Sequence, residues 1–97
     1  MTDEQKRVKA IVSGTVQGVG FRASTRKKAI QLKVKGSALN CADGTVEVVL
    51  SGDNTSVEKM CGWLRSGPPE ATVQSVEVED LPWQRMDGFI TGNKKST

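Results

Sequence analysis

A glycine-rich segment followed by an arginine is the part of this sequence best suited to bind an anion. Residues 14–20 hold three glycines in seven positions, and Arg22 follows two residues later. Glycines allow consecutive backbone N–H groups to converge on one anion, and a guanidinium presents paired donors to phosphate oxygens. A tight turn with a surface arginine is an equally good interpretation of this pattern alone. The segment lacks the Gly-Lys-Ser/Thr ending of a P-loop and the glycine spacing of a dinucleotide fingerprint.

Histidine is absent from the 97 residues, which excludes several kinds of catalytic site. Ser-His and Cys-His nucleophile pairs and most catalytic zinc sites depend on it. The two cysteines, Cys41 and Cys61, cannot form a structural zinc tetrad by themselves. We expect both to be reduced, buried thiols of a cytoplasmic protein, and a single disulfide between them is the alternative.

Length and charge narrow the class of protein further. A chain of 97 residues suits one domain with a single core. No apolar run exceeds three residues, so we expect neither a transmembrane helix nor a secretory signal. Residues 1–40 carry a net charge of +7 and residues 41–97 a net charge of −4. The first part therefore either faces an anion or forms a solvated basic helix face.

Hydrophobic periodicity and turn residues predict five strands and two helices. The expected strands cover 7–13, 36–41, 45–51, 72–79 and 88–91. The first expected helix covers 21–33, and the second begins at Thr55 and is stopped by Gly67-Pro68-Pro69.

Local signals mark the ends of these elements. Asp43-Gly44 predicts a hairpin turn, and Thr55-Ser56-Val57-Glu58 matches a capping box. The valines of the fourth strand change phase, which favours a bulge there. Cys61 lies on the apolar face of the second helix and is expected to pack in the core.

This order of elements predicts an α+β ferredoxin-like βαββαβ sandwich, in which two helices cover one face of a mostly antiparallel sheet, with a short extra C-terminal strand. We expect one domain over 1–97, a core over about 7–91 and a flexible tail over 92–97. The glycine-rich segment then joins the first strand to the N-terminus of the first helix, where the helix dipole favours an anion. The fold by itself does not select a function.

Two motifs resemble those of the acylphosphatase family. The first is Val12-Ser13-Gly14-Thr15-Val16-Gln17-Gly18-Val19-Gly20-Phe21-Arg22, which matches every position that this family usually fixes. The second consists of Gly36, Asn40, Gly44, Val46 and Gly52 at the family's spacing. The resemblance covers roughly residues 8–90. The sequence departs from the family pattern at Ser37 and Leu39, and at Ala23 and Ser24, which are small where an aromatic residue is common.

The resemblance implies a phosphate site and a hydrolytic activity. The chain is expected to hydrolyse the carboxyl-phosphate bond of acyl phosphates to a carboxylate and inorganic phosphate. The Arg22 guanidinium would hold the phosphate and the Asn40 side chain would position water. The backbone amides that complete the phosphate site would be those of Thr15, Val16, Gln17, Gly18, Val19 and Gly20. No metal and no cofactor is implied, because a carboxylate leaves without strong acid assistance.

The expected partners are a small-molecule acyl phosphate and inorganic phosphate as product or inhibitor, with the protein acting as a monomer. We expect neither nucleic acid nor a membrane to be a partner. A non-catalytic phosphate- or RNA-binding module of the same fold is the alternative. Residues 8–12 and 46–50 contain no aromatic residue, which argues against RNA binding by the central strands.

Overall fold

The computed structural model describes residues 4–94, which contain five strands and two helices in the predicted order. The elements are β1 (Gln5–Thr15), α1 (Phe21–Gln31), β2 (Lys35–Asn40), β3 (Val46–Asp53), α2 (Asn54–Ser66), β4 (Thr72–Leu81) and β5 (Phe89–Asn93). Neither helix in this part of the chain is long and apolar enough to span a membrane.

The strands form one sheet in the order β4-β1-β3-β2-β5. Neighbouring strands are antiparallel except β2 and β5, which are parallel. The predicted ferredoxin-like sandwich is therefore confirmed. Val12 and Asn40 both pair with Val46, and Asn40 also pairs with Asn93. The C-terminal ends of β1, β2 and β5 consequently lie at the same end of the sheet, where the glycine-rich loop leaves β1, and the first residue of β3 lies between β1 and β2.

The core lies between one face of the sheet and the two helices. Alternate residues of β1 pair with alternate residues of β3, and all of them are fully buried: Val8 with Leu50, Ala10 with Val48, and Val12 with Val46. Both helices contribute residues at helical spacing to this core: Phe21 and Ala29 from α1, and Val57, Met60, Cys61 and Leu64 from α2. The buried faces thus show the alternation and the helical periodicity from which the strands and helices were predicted.

Helix α1 ends at Gln31, two residues before its predicted end. The Val34 N–H donates to the Ala29 carbonyl at 2.8 Å, and the Lys33 N–H donates to the Ile30 carbonyl at 3.2 Å. This is a Schellman ending, with Lys33 in the left-handed region at φ 59°. A lysine occupies the position that glycine usually takes, so no residue type marked the end of this helix.

Helix α2 begins at Asn54, with Asp53 as its N-cap residue. The capping box predicted at Thr55 is therefore wrong. Glu58, which the capping box would turn back toward the helix start, instead forms an ion pair with the Lys6 ammonium at 2.6 Å. The predicted end of the helix at Gly67, before the two prolines, is confirmed.

The predicted bulge and the predicted tail have different outcomes. The register between β1 and β4 shifts between Ser13 and Gly14, so an irregularity is present where the valine phase changes. Strand β5 extends to Asn93, and the Lys94 N–H donates to the Asn40 carbonyl at 2.8 Å. The tail prediction is therefore wrong for residues 92–94, which are held beside β2. Residues 95–97 lie outside the described part of the chain.

Candidate active site

The loop between β1 and α1 owes its shape to two glycines. Gly18 and Gly20 both have φ of 75°, a left-handed conformation that side chains disfavour. Gly20 is the N-cap residue of α1, and no acidic residue lies in the first turn of this helix. Because the first N–H groups of a helix lack intrahelical acceptors and carry the positive end of the dipole, this turn attracts an anion.

A cleft of about 200 Å³ opens at this helix end. Its walls come from the loop, the first turn of α1 and strand β5, and consist of Val16, Gly18, Gly20, Phe21, Arg22, Ala23 and Thr91. The structure therefore brings Arg22 together with part of the predicted loop. The contribution of Thr91 was not predicted, since β5 was expected only as a short extra C-terminal strand with no part in the site.

Arg22 is anchored by the backbone of β5. Its Nη1 donates to the Gly92 carbonyl oxygen at 2.5 Å, and the side chain is partly buried. A guanidinium has five N–H donors, so this bond fixes its orientation and leaves other donors for a ligand. Gly92 pairs with Leu39, the residue before Asn40. The β5 strand thus holds Arg22 close to the end of β2.

The side chain of Gln17 ties the loop to the turn between β2 and β3. Its Nε2 donates to the Cys41 and Thr45 carbonyl oxygens, at 2.9 Å in each case. Asp43 stiffens the same turn, because its carboxylate accepts from the Thr45 N–H at 3.0 Å and the Thr45 hydroxyl at 2.7 Å. These bonds lower the pKa of the Asp43 carboxyl. From the sequence, only the backbone amide of Gln17 was expected to take part in the site. Neither the residue type of Gln17 nor its neighbours indicated that its side chain bonds to this turn.

Asn40 is the last residue of β2 and lies at the end of the sheet where the glycine-rich loop leaves β1. Its side-chain Oδ1 is buried and has no hydrogen-bond partner among residues 4–94. Its neighbour Cys41 accepts a hydrogen bond from Gln17 Nε2, so Asn40 is placed where β2 meets the loop. Asn40 is not one of the residues that line the 200 Å³ cleft. A buried carbonyl oxygen without a donor costs free energy, and such exceptions commonly mark a site that a ligand or water completes.

The six predicted loop residues do not lie equally close to the cleft. Val16, Gly18 and Gly20 line it. Thr15 ends β1 and pairs with Thr72, and Val19 packs against the core. The part that each backbone amide takes in binding stays a prediction.

The comparisons with known proteins decide the family. The protein-family model for acylphosphatase matches residues 8–91 of this chain. This chain belongs to the acylphosphatase family. An acylphosphatase of Colwellia psychrerythraea is 48% identical over 83 residues, which cover 86% of this chain and 93% of that protein.

Solved acylphosphatase structures have the same fold. The structure from Coxiella burnetii has a TM-score of 0.86 at 38% identity, and the match covers 90% of this chain and 92% of that one. The structure from Bacillus subtilis has a TM-score of 0.85 at 27% identity, and the match covers 91% and 98% of the two chains. The predicted family and the predicted enzyme class are confirmed.

The cysteines of this acylphosphatase-family chain are both free. Cys61 is buried in the core, and burial together with the nearby Glu58 raises the pKa of its thiol. Cys41 is only partly buried, so the expectation that both thiols are buried holds for Cys61 alone. Among residues 4–94, no group of three or more histidine, cysteine, aspartate or glutamate side chains could hold a metal ion.

Proposed function

We propose that this chain hydrolyses acyl phosphates at the cleft between the glycine-rich loop, α1 and β5. The observation that carries the proposal is the buried Oδ1 of Asn40, which has no partner among residues 4–94 and belongs to the same end of the sheet as the arginine-lined cleft. A water that donates to this oxygen satisfies it and keeps a lone pair for attack on phosphorus. The family of the chain supports the same activity.

The phosphoryl group is held by the loop amides, from Thr15 to Gly20, and by the Arg22 guanidinium. The N-terminus of α1 adds the positive end of its dipole. Because the Gly92 carbonyl orients Arg22 in advance, little reorganisation is needed as charge spreads over the phosphoryl oxygens. The Gln17 bridge keeps the loop against the β2–β3 turn, and so fixes the distance between the phosphate and Asn40.

The chemical step is an in-line displacement at phosphorus. The water oxygen forms a bond to phosphorus as the bond between phosphorus and the acyl oxygen breaks, and the carboxylate leaves with the electron pair. The proton of the water passes to a phosphate oxygen or to solvent. A carboxylate is a weak base and needs no general acid, so positioning and electrostatic stabilisation carry the reaction. We propose that no metal or cofactor takes part. The single-domain organisation, the monomeric state, the cytoplasmic location and the absence of nucleic-acid or membrane partners stay predictions.

The test is release of inorganic phosphate from benzoyl phosphate, an aryl acyl phosphate, by the purified chain with and without a chelator. Turnover that the chelator leaves unchanged is the expected result. Binding of inorganic phosphate without any turnover would contradict the proposal and favour the non-catalytic anion-binding module. Turnover that the chelator abolishes would contradict the metal-free mechanism.

A further inference from the structure

A second cleft, of about 350 Å³, adjoins the candidate active site. One wall is a face of α1 and the other is the end of α2 with the turn after it, so that the lining consists of Ser24, Lys27, Lys28, Gln31, Trp63, Gly67, Pro68 and Pro69. The α1 residues follow the spacing i, i+3, i+4 and i+7, which places them on one side of the helix. The mechanism proposed above uses none of these side chains.

Neighbouring residues line the two clefts at the start of α1. Phe21 lines the first cleft, and its ring lies 6.2 Å, centroid to centroid, from the ring of Trp63, which lines the second. Gly67 of the second cleft also approaches Phe21 closely, because a Cβ on Gly67 would lie 3.3 Å from Phe21 Cε2. Ala23 and Ser24 are consecutive, and each lines one of the clefts. Both side chains are small.

The geometry of the reaction indicates which way the acyl group leaves. In an in-line displacement, the attacking water and the leaving oxygen lie on opposite sides of phosphorus. Asn40, which is assigned to the water, lies at the end of β2 next to β5. The second cleft lies on the side of α1 that faces α2. With the phosphoryl group at the N-terminus of α1, the acyl group points away from β2 and toward this cleft.

The chemistry of the second cleft suits a particular acyl group. Lys27 and Lys28 bring two positive charges to its lining, and none of its lining residues is acidic. The Trp63 ring and the two prolines form an apolar wall opposite them. A ligand that fits this combination has an apolar or flat body and an anionic group at its far end.

We propose that the second cleft binds the acyl part of the substrate and selects acyl phosphates whose acyl group carries a second negative charge. Lys27 and Lys28 are the specificity-determining residues, and Trp63 supports the body of the acyl group. This inference rests on the proposed hydrolysis of acyl phosphates at the first cleft.

The experiment compares benzoyl phosphate with 4-carboxybenzoyl phosphate, which adds one carboxylate at the far end of the same ring. The wild-type chain should show a kcat/KM about 3- to 10-fold higher for the carboxylated compound, since each exposed ion pair contributes a few-fold at low salt. The double variant Lys27→Gln/Lys28→Gln should lose this preference, and Lys27→Glu/Lys28→Glu should reverse it. The matched control is Lys59→Gln, an exposed lysine of α2 that lines neither cleft, which should keep the wild-type ratio.

The outcomes separate the two proposals. Hydrolysis of both compounds without a preference, or a preference that the double variants leave unchanged, overturns the acyl-binding cleft and leaves the hydrolytic function intact. Hydrolysis of neither compound overturns the proposed function and the inference with it. A preference that disappears equally in Lys59→Gln assigns the effect to net charge and also overturns the role of the cleft.

Discussion

The two helices begin in contrasting ways. The N-cap residue of α1 is Gly20, which has no side chain, and the charged group in its first turn is the cation Arg22. The N-cap residue of α2 is Asp53, whose carboxylate accepts from Gln5 Nε2 at 2.8 Å. The backbone N–H of Asn54, at the start of α2, donates to the Glu4 carbonyl at 2.9 Å. The start of α2 therefore has a carboxylate beside it, although that carboxylate accepts no hydrogen bond from a helix N–H, and a backbone acceptor for Asn54; the start of α1 has no acidic residue in its first turn.

The two helix starts differ in whether an external anion can bind there. An N-terminus that the protein satisfies itself contributes to stability, whereas one that stays open can bind an external anion. The two starts also lie at opposite ends of the sheet, because Asp53 pairs with Gln5 whereas the loop leaves β1 after Thr15. Substitutions at the two helix starts should therefore separate activity from stability.

The largest effect is expected at the open helix start. Arg22→Ala should lower kcat/KM for benzoyl phosphate by at least about 10²–10³-fold, because a charged donor oriented in advance is lost. Arg22→Lys should restore little activity, since lysine lacks the planar fork.

Arg26→Ala is the matched control for this substitution. Arg26 lies one turn further along α1 and also donates to a β5 carbonyl, from Nε to Phe89 at 3.2 Å, but it does not line the cleft. Its loss should leave kcat/KM within about threefold of wild type, because an arginine-to-backbone bond alone is of modest value. Equal losses in the two variants would show that arginine contacts with β5 matter for structure and not for phosphate.

A smaller effect is expected from the bridge that holds the loop. Gln17→Ala should lower kcat/KM by about tenfold, because the loop loses both bonds to the β2–β3 turn and the phosphate site shifts relative to Asn40. The unfolding temperature should change little, since the Cys41 and Thr45 carbonyls keep backbone donors from Gly44 and Cys41. Gln74→Ala, an exposed glutamine of β4, serves as the control. Full activity in Gln17→Ala would show that the bridge does not position the loop.

The smallest effect on activity is expected at the closed helix start. Asp53→Ala should lower the unfolding temperature by about 2–4 °C, because α2 loses a carboxylate at the positive end of its dipole. The kcat and KM should match those of wild type, since Asp53 lies at the other end of the sheet from the cleft. Thermal melts and steady-state kinetics on one preparation would decide this. A change in KM with an unchanged melt would contradict the division between the two helix starts.

The sequence predicted the fold wherever burial dictates the pattern. Val46, Val48 and Leu50 alternate because β3 contacts the core along its whole length. Val57, Met60 and Leu64 recur at helical spacing because α2 also contacts the core along its length. The ends of elements were less predictable, because they depend on single conformations such as the left-handed Lys33. The length of strand β5 was underestimated for a related reason. Its pairing with β2 is a long-range contact, and its short segment with Gly92 carries little periodicity.

The sequence indicated which residues form the candidate site, but it did not indicate the hydrogen bonds that hold those residues in place. Spacing and family resemblance identified Arg22 and Asn40 as candidates for binding and catalysis, and their roles stay proposals. The sequence did not reveal that Gly92 orients Arg22 or that the Gln17 side chain holds the loop, because both bonds join segments far apart in the chain. A bond from a side chain to a distant backbone carbonyl leaves no periodic signal in the sequence.

In the proposed mechanism, Arg22 and the loop hold the phosphate, and the Asn40 side chain only positions the attacking water. The measurement that tests it most directly is kcat for benzoyl phosphate together with the inhibition constant of inorganic phosphate in Asn40→Ala, with Asn54→Ala at the other end of the sheet as control. The kcat should fall at least about 100-fold while the inhibition constant stays within about twofold of wild type, because only water positioning is lost. An inhibition constant that weakens as much as kcat falls would show that Asn40 binds phosphate, and the assignment of roles would be wrong.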